Sequence, residues 1–202
     1  MPLITSVNKT DKPHKYNVVV GTISYIFDEE IIIEYNIYSG KEIDDSVLDK
    51  ALSENDVQDY YDKALKYSLK YAKSAGETLS YLTDNKGLDY ASSIKIIEKL
   101  KARKILNDEV LIKQVLYSLT ASSNGRLMIK EKLRNKKFEA SLIDDAIKNI
   151  DYELYYEALN KLYNKIKHKY DKNPDFVRIN KIRNYLYQHG YTQDDISTLN
   201  IK

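Results

Sequence analysis

The chain is 202 residues long, 43% apolar and 31% charged, enough to bury a sizeable core and too apolar for a disordered segment. It holds no cysteine, which excludes disulfides and thiolate metal sites, and no apolar run approaches the roughly 20 residues of a membrane span. The net charge of +2 hides an asymmetry: residues 1–52 carry 5 Lys/Arg against 9 Asp/Glu, whereas the remainder carries 27 against 21. With no signal-peptide pattern at the N-terminus, a soluble cytoplasmic protein is the default expectation.

Residues 3–35 are β-branched and aromatic with turn punctuation. Tyr16–Val20, Gly21, Thr22–Phe27, the acidic turn Asp28-Glu29-Glu30 and Ile31–Ile33 read as a short antiparallel meander closed by Tyr38-Ser39-Gly40. So small a sheet is marginal alone and should dock on the first helices. A first helix is expected from Ile43-Asp-Asp-Ser46 towards Leu52, and a second from about Val57 to Tyr71. Tyr60, Ala64, Tyr67 and Tyr71 in the second share one helical face, which suits core packing better than base stacking.

The stretch 71–100 holds the organising unit. Ser74 and Glu77 form a capping box, Leu79 and Leu82 lie one turn apart, Gly87 ends the helix, and Ile94, Ile97 and Leu100 make a second stripe. The frame Leu82/Gly87/Leu88 recurs about fifty residues on as Leu133/Lys137/Phe138, and again as Leu186/Gly190/Tyr191. The first copy has one extra residue before its glycine, and the second has Lys137 in the glycine position. Three tandem three-helix repeats sharing an extended core, in an elongated curved array, are the predicted architecture. The divisions expected are 1–42 for the β-rich part, then 43–106, 107–150 and 151–202.

Further along, Leu106-Asn107-Asp108-Glu109 opens a capped helix and Ser122–Gly125 breaks it. The helix read from Arg126 to Lys137 carries six Lys/Arg against Glu131 alone, with Lys130, Arg134 and Lys137 on one face away from Ile129 and Leu133. A long helix is expected from Asp151 to about Tyr170, with Lys161, Lys165, His168 and Lys172 along one edge. Asn173 as N-cap and Pro174 at the first helical position should start the next, which bears Arg178, Lys181 and Arg183. From Lys161 to Arg183 there are 8 Lys/Arg and two acids. A basic surface of this kind favours a polyanionic partner.

Catalytic patterns are absent. His14, His168 and His189 lack carboxylates at ligand spacing, so neither a metal nor a cofactor is expected. No phosphate-binding glycine loop or nucleophile elbow occurs. The pairs Asp44-Asp45, Asp144-Asp145 and Asp194-Asp195 read as helix-start acids rather than an acid/base couple. The sequence predicts a binding protein, not an enzyme.

The residues Ser74-x-x-Glu77, Leu82, Lys86-Gly87, Ile94/Ile97/Leu100 and Leu106-Asn107-Asp108 resemble the first repeat of the RecX family of regulatory proteins. Gly125, Ile129, Leu133, Ile143 and Ile147 resemble its second repeat. Lys181, Leu186, Gly190-Tyr191 and Ile196 resemble its closing segment, with His189 for the usual Arg and Tyr191 for Phe. The stretch from Ile4-Thr-Ser-Val7 to Ser39-Gly40 is similar to the β-rich extension of RecX proteins of low-GC Gram-positive type. The resemblance implies a non-enzymatic monomer that binds the RecA filament on single-stranded DNA along its groove and restrains strand exchange, ATP hydrolysis and coprotease activity. On that reading the filament-facing set is Arg126, Lys130, Arg134, Lys137, Lys161, Lys165, Arg178, Lys181 and Arg183, acting by electrostatic docking. The alternatives are a helix-turn-helix DNA-binding regulator and a helical scaffold for another protein.

Overall fold

In the computed structural model, which describes residues 1–201, the chain opens with three antiparallel strands. They are β1 (Ile4–Lys9), β2 (Lys15–Val20) and β3 (Ile23–Asp28), in that spatial order. Gly21, at φ +59°, makes the two-residue turn between β2 and β3. The isoleucine run after β3 is not the strand its composition predicts. It lies in α1 (Glu29–Glu34), because the Asp28 carboxylate accepts the Glu30 amide and two acids occupy the first turn. The additional strand comes instead from Ile4–Lys9. β1 is tied to the chain after α1: the Ile4 amide donates to the Lys41 carbonyl at 2.9 Å, and Ile43 to Pro2 at 3.0 Å.

A single helix, α2 (Asp45–Tyr71), replaces the two predicted. Residues Ser53–Asp56 fall in the gap between the two predicted helices, but Asn55 is buried. Its side chain accepts from the Asp28 amide at 2.7 Å and donates to the Ile26 carbonyl at 3.0 Å. Lys15 adds an ion pair to Asp28 at 3.0 Å and another to Asp59. The predicted gap is the seam where the sheet docks. Leu48 and Ala51 of α2 complete a core with Ile4, Val18 and Phe27. One turn past the seam, Tyr61 and Ala64 join a second core with Leu82, Ile96, Ile97 and Leu100. Of the predicted tyrosine face, Tyr67 stacks on Tyr81 with ring centroids 4.1 Å apart, while Tyr71 is exposed.

The remaining helices are α3 (Ala75–Ser80), continued by a π turn over Tyr81–Asn85, then α4 (Tyr90–Ala102) and α5 (Asp108–Ala121). After them come α6 (Arg126–Asn135), α7 (Ala140–Lys148), α8 (Tyr152–Ile166), α9 (Asp175–Gln188) and α10 (Gln193–Ser197). The chain is mainly helical with three-helix units, as the recurring frame predicts. The frame has one structural meaning in all three copies. Gly87, Lys137 and Gly190 sit at φ +70°, +56° and +83° and end α3, α6 and α9. The next amide then returns to the buried leucine: Leu88 to Leu82 at 3.1 Å, Phe138 to Leu133 at 3.4 Å, Tyr191 to Leu186 at 3.2 Å. The extra residue of the first copy is taken up by the π turn.

Two further expectations are corrected. α8 ends at Ile166 rather than near Tyr170. The N-cap of α9 is Pro174, and Asn173 does not cap it: its side-chain oxygen accepts from Lys181 at 2.9 Å, while its side-chain nitrogen donates to the Tyr170 carbonyl at 3.0 Å.

The units join end to end. The amides of Gly125 and Leu127, at the start of α6, donate to the carbonyls of His189 and Gly190, at the end of α9, at 2.7 and 3.0 Å. The start of α3 meets the end of α6 through a side chain instead of an amide: the Ser74 hydroxyl donates to the Lys136 carbonyl at 2.5 Å. Groups that a helix end leaves unpaired thus satisfy one another, with the macrodipoles in series. The approach admits no side chain at its centre. A Cβ on Gly125 would fall 2.2 Å from the Gly190 carbonyl carbon, and one on Gly76 would fall 2.1 Å from the Lys137 oxygen.

The apolar packing is less continuous than the repeat pattern predicts. One core runs through α5–α10, from Ile112 to Leu199, whereas the α2–α4 core is separate. The junction between them is largely polar: Ala75 donates to Asp108 at 2.9 Å, and Lys136 reaches Glu77 at 3.4 Å. Gly125→Ala is therefore expected to cost about 2–3 kcal/mol, as overpacking against immovable backbone does. Urea denaturation followed by helix circular dichroism measures it.

Candidate nucleic-acid interface

α6 divides its cations between structure and surface. Arg126, the first residue of the helix, turns towards α10, where its Nη2 meets Asp195 Oδ1 at 2.5 Å. Asp195 is fully buried and also accepts from Tyr155 Oη at 2.9 Å and from the Thr192 amide at 2.8 Å. Tyr155 in turn accepts the Arg126 amide at 3.1 Å, and burial pushes its phenol up to about 12. This network is a strut between α6, α8 and α10. It withdraws Arg126 from the outward-facing set.

Along the same helix, Lys130 pairs with Asp144 at 2.6 Å, and Lys132 reaches the Asn124 carbonyl oxygen at 2.7 Å. Lys137 bonds the Ser80 hydroxyl and lies 3.9 Å from Asp84. Asp144 and Asp145 sit in the middle of α7, not at its start, and Asp144 serves as a counter-ion. Arg134 is exposed and, among the described residues, makes no ion pair.

The second basic region is the α8–α9 hairpin. Lys161, Lys165 and Arg183 are exposed and make no ion pair among the described residues. Arg178 pairs with Asp175 at 3.0 Å, and Lys181 donates to Asn173 at 2.9 Å. Lys181 also lies 5.7 Å from the Tyr170 ring, whose other cation is Lys169 at 5.6 Å. Lys169 further approaches Tyr185 at 5.8 Å. These lysine–tyrosine contacts were not singled out from the sequence, since Lys169 and Tyr185 lie 16 residues apart. The structure thus brings together Lys181 with Lys169 and Tyr170, and separately Lys130 with α7. Arg126 and Arg178 are held by their own carboxylates.

At the α3–α6 junction Glu77 faces Lys73 at 2.9 Å and Lys136 at 3.4 Å. Burial works against its charge, but the Lys73 ammonium, the Ser74 amide and Lys136 outweigh it and hold the carboxyl below its ordinary 4.5. Nearby, burial pushes the Asp108 carboxyl up against the pull of the Ala75 amide. Among the described residues no three His, Asp or Glu side chains form a metal-holding group, and no helix is long and apolar enough to cross a membrane. The arrangement offers positive charge beside aromatic rings.

The fold is that of a helical-repeat protein with two basic surfaces. A family model described as the third three-helix domain of RecX matches residues 153–199. Regulatory protein RecX of Oceanobacillus iheyensis is 27% identical over 197 residues, covering 93% of this chain and 72% of that protein. The Clostridium tetani RecX is 26% identical over 205 residues, covering 96% and 89%. A crystal structure of regulatory protein RecX matches the fold with a TM-score of 0.83 at 18% identity, over 98% of both chains. That of RecX from Lactobacillus salivarius gives 0.66 at 23% identity, over 72% of this chain and 94% of that one. The chain is thus similar over nearly its whole length to regulatory proteins named RecX, and shares their fold.

The depressed Glu77 carboxyl makes the first junction pH-sensitive. Its contribution is complete above the unfolded value of 4.5 and is lost as pH falls through the lower folded value. Glu77→Gln keeps a capping acceptor and removes the charge. It is expected to cost about 1 kcal/mol at neutral pH. That difference from the parent should close as the pH is lowered below 4.5, as read from urea midpoints across pH.

Proposed function

We propose that this chain binds the RecA filament assembled on single-stranded DNA and restrains its ATP hydrolysis, strand exchange and coprotease activity. Similarity to RecX regulatory proteins over nearly the whole chain supports this reading. The observation that carries it is the pair of basic surfaces, on α6 and on the α8–α9 hairpin, held in fixed relation by the α9–α6 junction. Such a surface suits a groove lined by phosphates, where each neutralised phosphate releases counterions. Arg134, Lys161, Lys165 and Arg183 are its leading contacts, with Lys130, Lys137 and Lys181 available by exchange of their present partners.

A helix-turn-helix reader of duplex DNA fits less well. A recognition helix needs a start free of negative charge. α4 is instead capped by the Asp89 carboxylate, and the first turn of α10 holds Asp194 and Asp195.

The test is RecA ATPase on single-stranded DNA, titrated with this protein at two salt concentrations. Inhibition at stoichiometric amounts, relieved by salt, is expected. The triple variant Arg134→Ala, Lys161→Ala, Lys165→Ala should reduce the slope of log affinity against log salt by about 2. Unchanged ATPase at both salts would overturn the reading.

A further inference from the structure

The chain has three phenylalanines, and two of them, Phe27 and Phe138, are buried. The third, Phe176, is 77% exposed in the first turn of α9, inside the most basic segment of the protein. Its neighbours on that helix are not random. Phe176, Asn180, Arg183 and Tyr187 follow one another at four, three and four residues, so they share one narrow face, distinct from the face of the buried Ile182 and Leu186. Tyr187 is a second exposed aromatic, at 41%. The two rings stand about 16 Å apart along the helix.

Asn180, Arg183 and Tyr187 also form one wall of a concavity of about 520 Å3 between α9 and α10. Asn184, Gln193 and Asn200 supply further carboxamides there, and among the described residues no Asp or Glu lines it. Aromatic faces accept any base by stacking, carboxamides donate to and accept from base edges, and an arginine serves the phosphates. A duplex buries these base faces in its own stack. A single strand offers them.

We propose that this face of α9, with its concavity, stacks and holds unpaired bases of a single DNA strand. The site rests on the proposed role at RecA–DNA filaments and supplies it with a preference for single strands that phosphate contacts alone do not give. Phe176 and Tyr187 are the stacking platforms, and Arg183 ties them to the backbone charge. Both rings project into solvent, so their replacement leaves the core intact.

The test uses the full chain and a fluorescein-labelled oligodeoxythymidine, with a duplex of equal length as comparison. The double variant Phe176→Ala, Tyr187→Ala should bind the single strand about tenfold more weakly. Its salt slope and duplex binding should be unchanged. Because the chain contains no tryptophan, Phe176→Trp creates a lone reporter whose emission stacking should quench. Undiminished oligonucleotide binding with unquenched emission would overturn the proposal. So would an equal loss on single strand and duplex. Intact oligonucleotide binding with lost action on RecA would also overturn it and make the face a protein contact. If the parent chain binds the oligonucleotide but leaves RecA ATPase unchanged, the role at RecA fails while this site stands.

Discussion

The arrangement depends on helix ends meeting helix ends. An α-helix leaves amides unpaired at its start and carbonyls unpaired at its finish, and each needs a partner when water is excluded. Here α9 supplies carbonyls to α6, and α6 supplies one to the Ser74 hydroxyl ahead of α3. Close approach requires a bare backbone at Gly125 and Gly76 on one side, and a left-handed residue at Gly190 and Lys137 on the other. In its second and third copies, at Lys137 and Gly190, the recurring frame is the sequence image of that joint, whereas Gly87 of the first copy faces open space. The frame's left-handed residue turns the chain, and its leucine anchors the turn in the core.

The two joints are not equivalent. The α9–α6 joint is backed by a continuous apolar core and by the Arg126–Asp195–Tyr155 network. A buried carboxylate of this kind is costly without its cation, so the network specifies the joint more than it stabilises it. The α6–α3 joint relies on Glu77, Lys73, Lys136 and Asp108, all nearer the surface. Lys137 also holds a left-handed conformation that glycine adopts without strain. The first unit is therefore the more weakly attached, with the sheet bound to it through α2.

Much of this was legible from local chemistry. The Ser74–Glu77 capping box, the Asn107 cap and the left-handed Gly87 and Gly190 each rest on residues within one turn of each other, and all form as expected. Failures arose where one local signal overrides another or where a distant partner decides. Ile31–Ile33 is β-prone, but the Asp28 cap makes it helical. Asn55 falls between two predicted helices until Asp28 and Ile26 arrive from 27 and 29 residues away. Arg126 looks like an outward cation until Asp195, 69 residues on, claims it. Thr192-x-x-Asp195 was readable as a capping box, yet nothing local revealed that its acid is buried. Nor does anything in the structure explain the Tyr191 hydroxyl, which lies buried without a hydrogen-bond partner.

What remains is a surface whose chemistry is charge and ring stacking, held in place by backbone joints. The central claim is that α6 and the α8–α9 hairpin meet the filament. Amide hydrogen exchange of this protein, free and bound to RecA on single-stranded DNA, addresses it directly. Slowed exchange on binding across residues 126–137 and 161–188 is the expected result. Slowed exchange confined to β1–β3 and α1, with those segments unchanged, would contradict it.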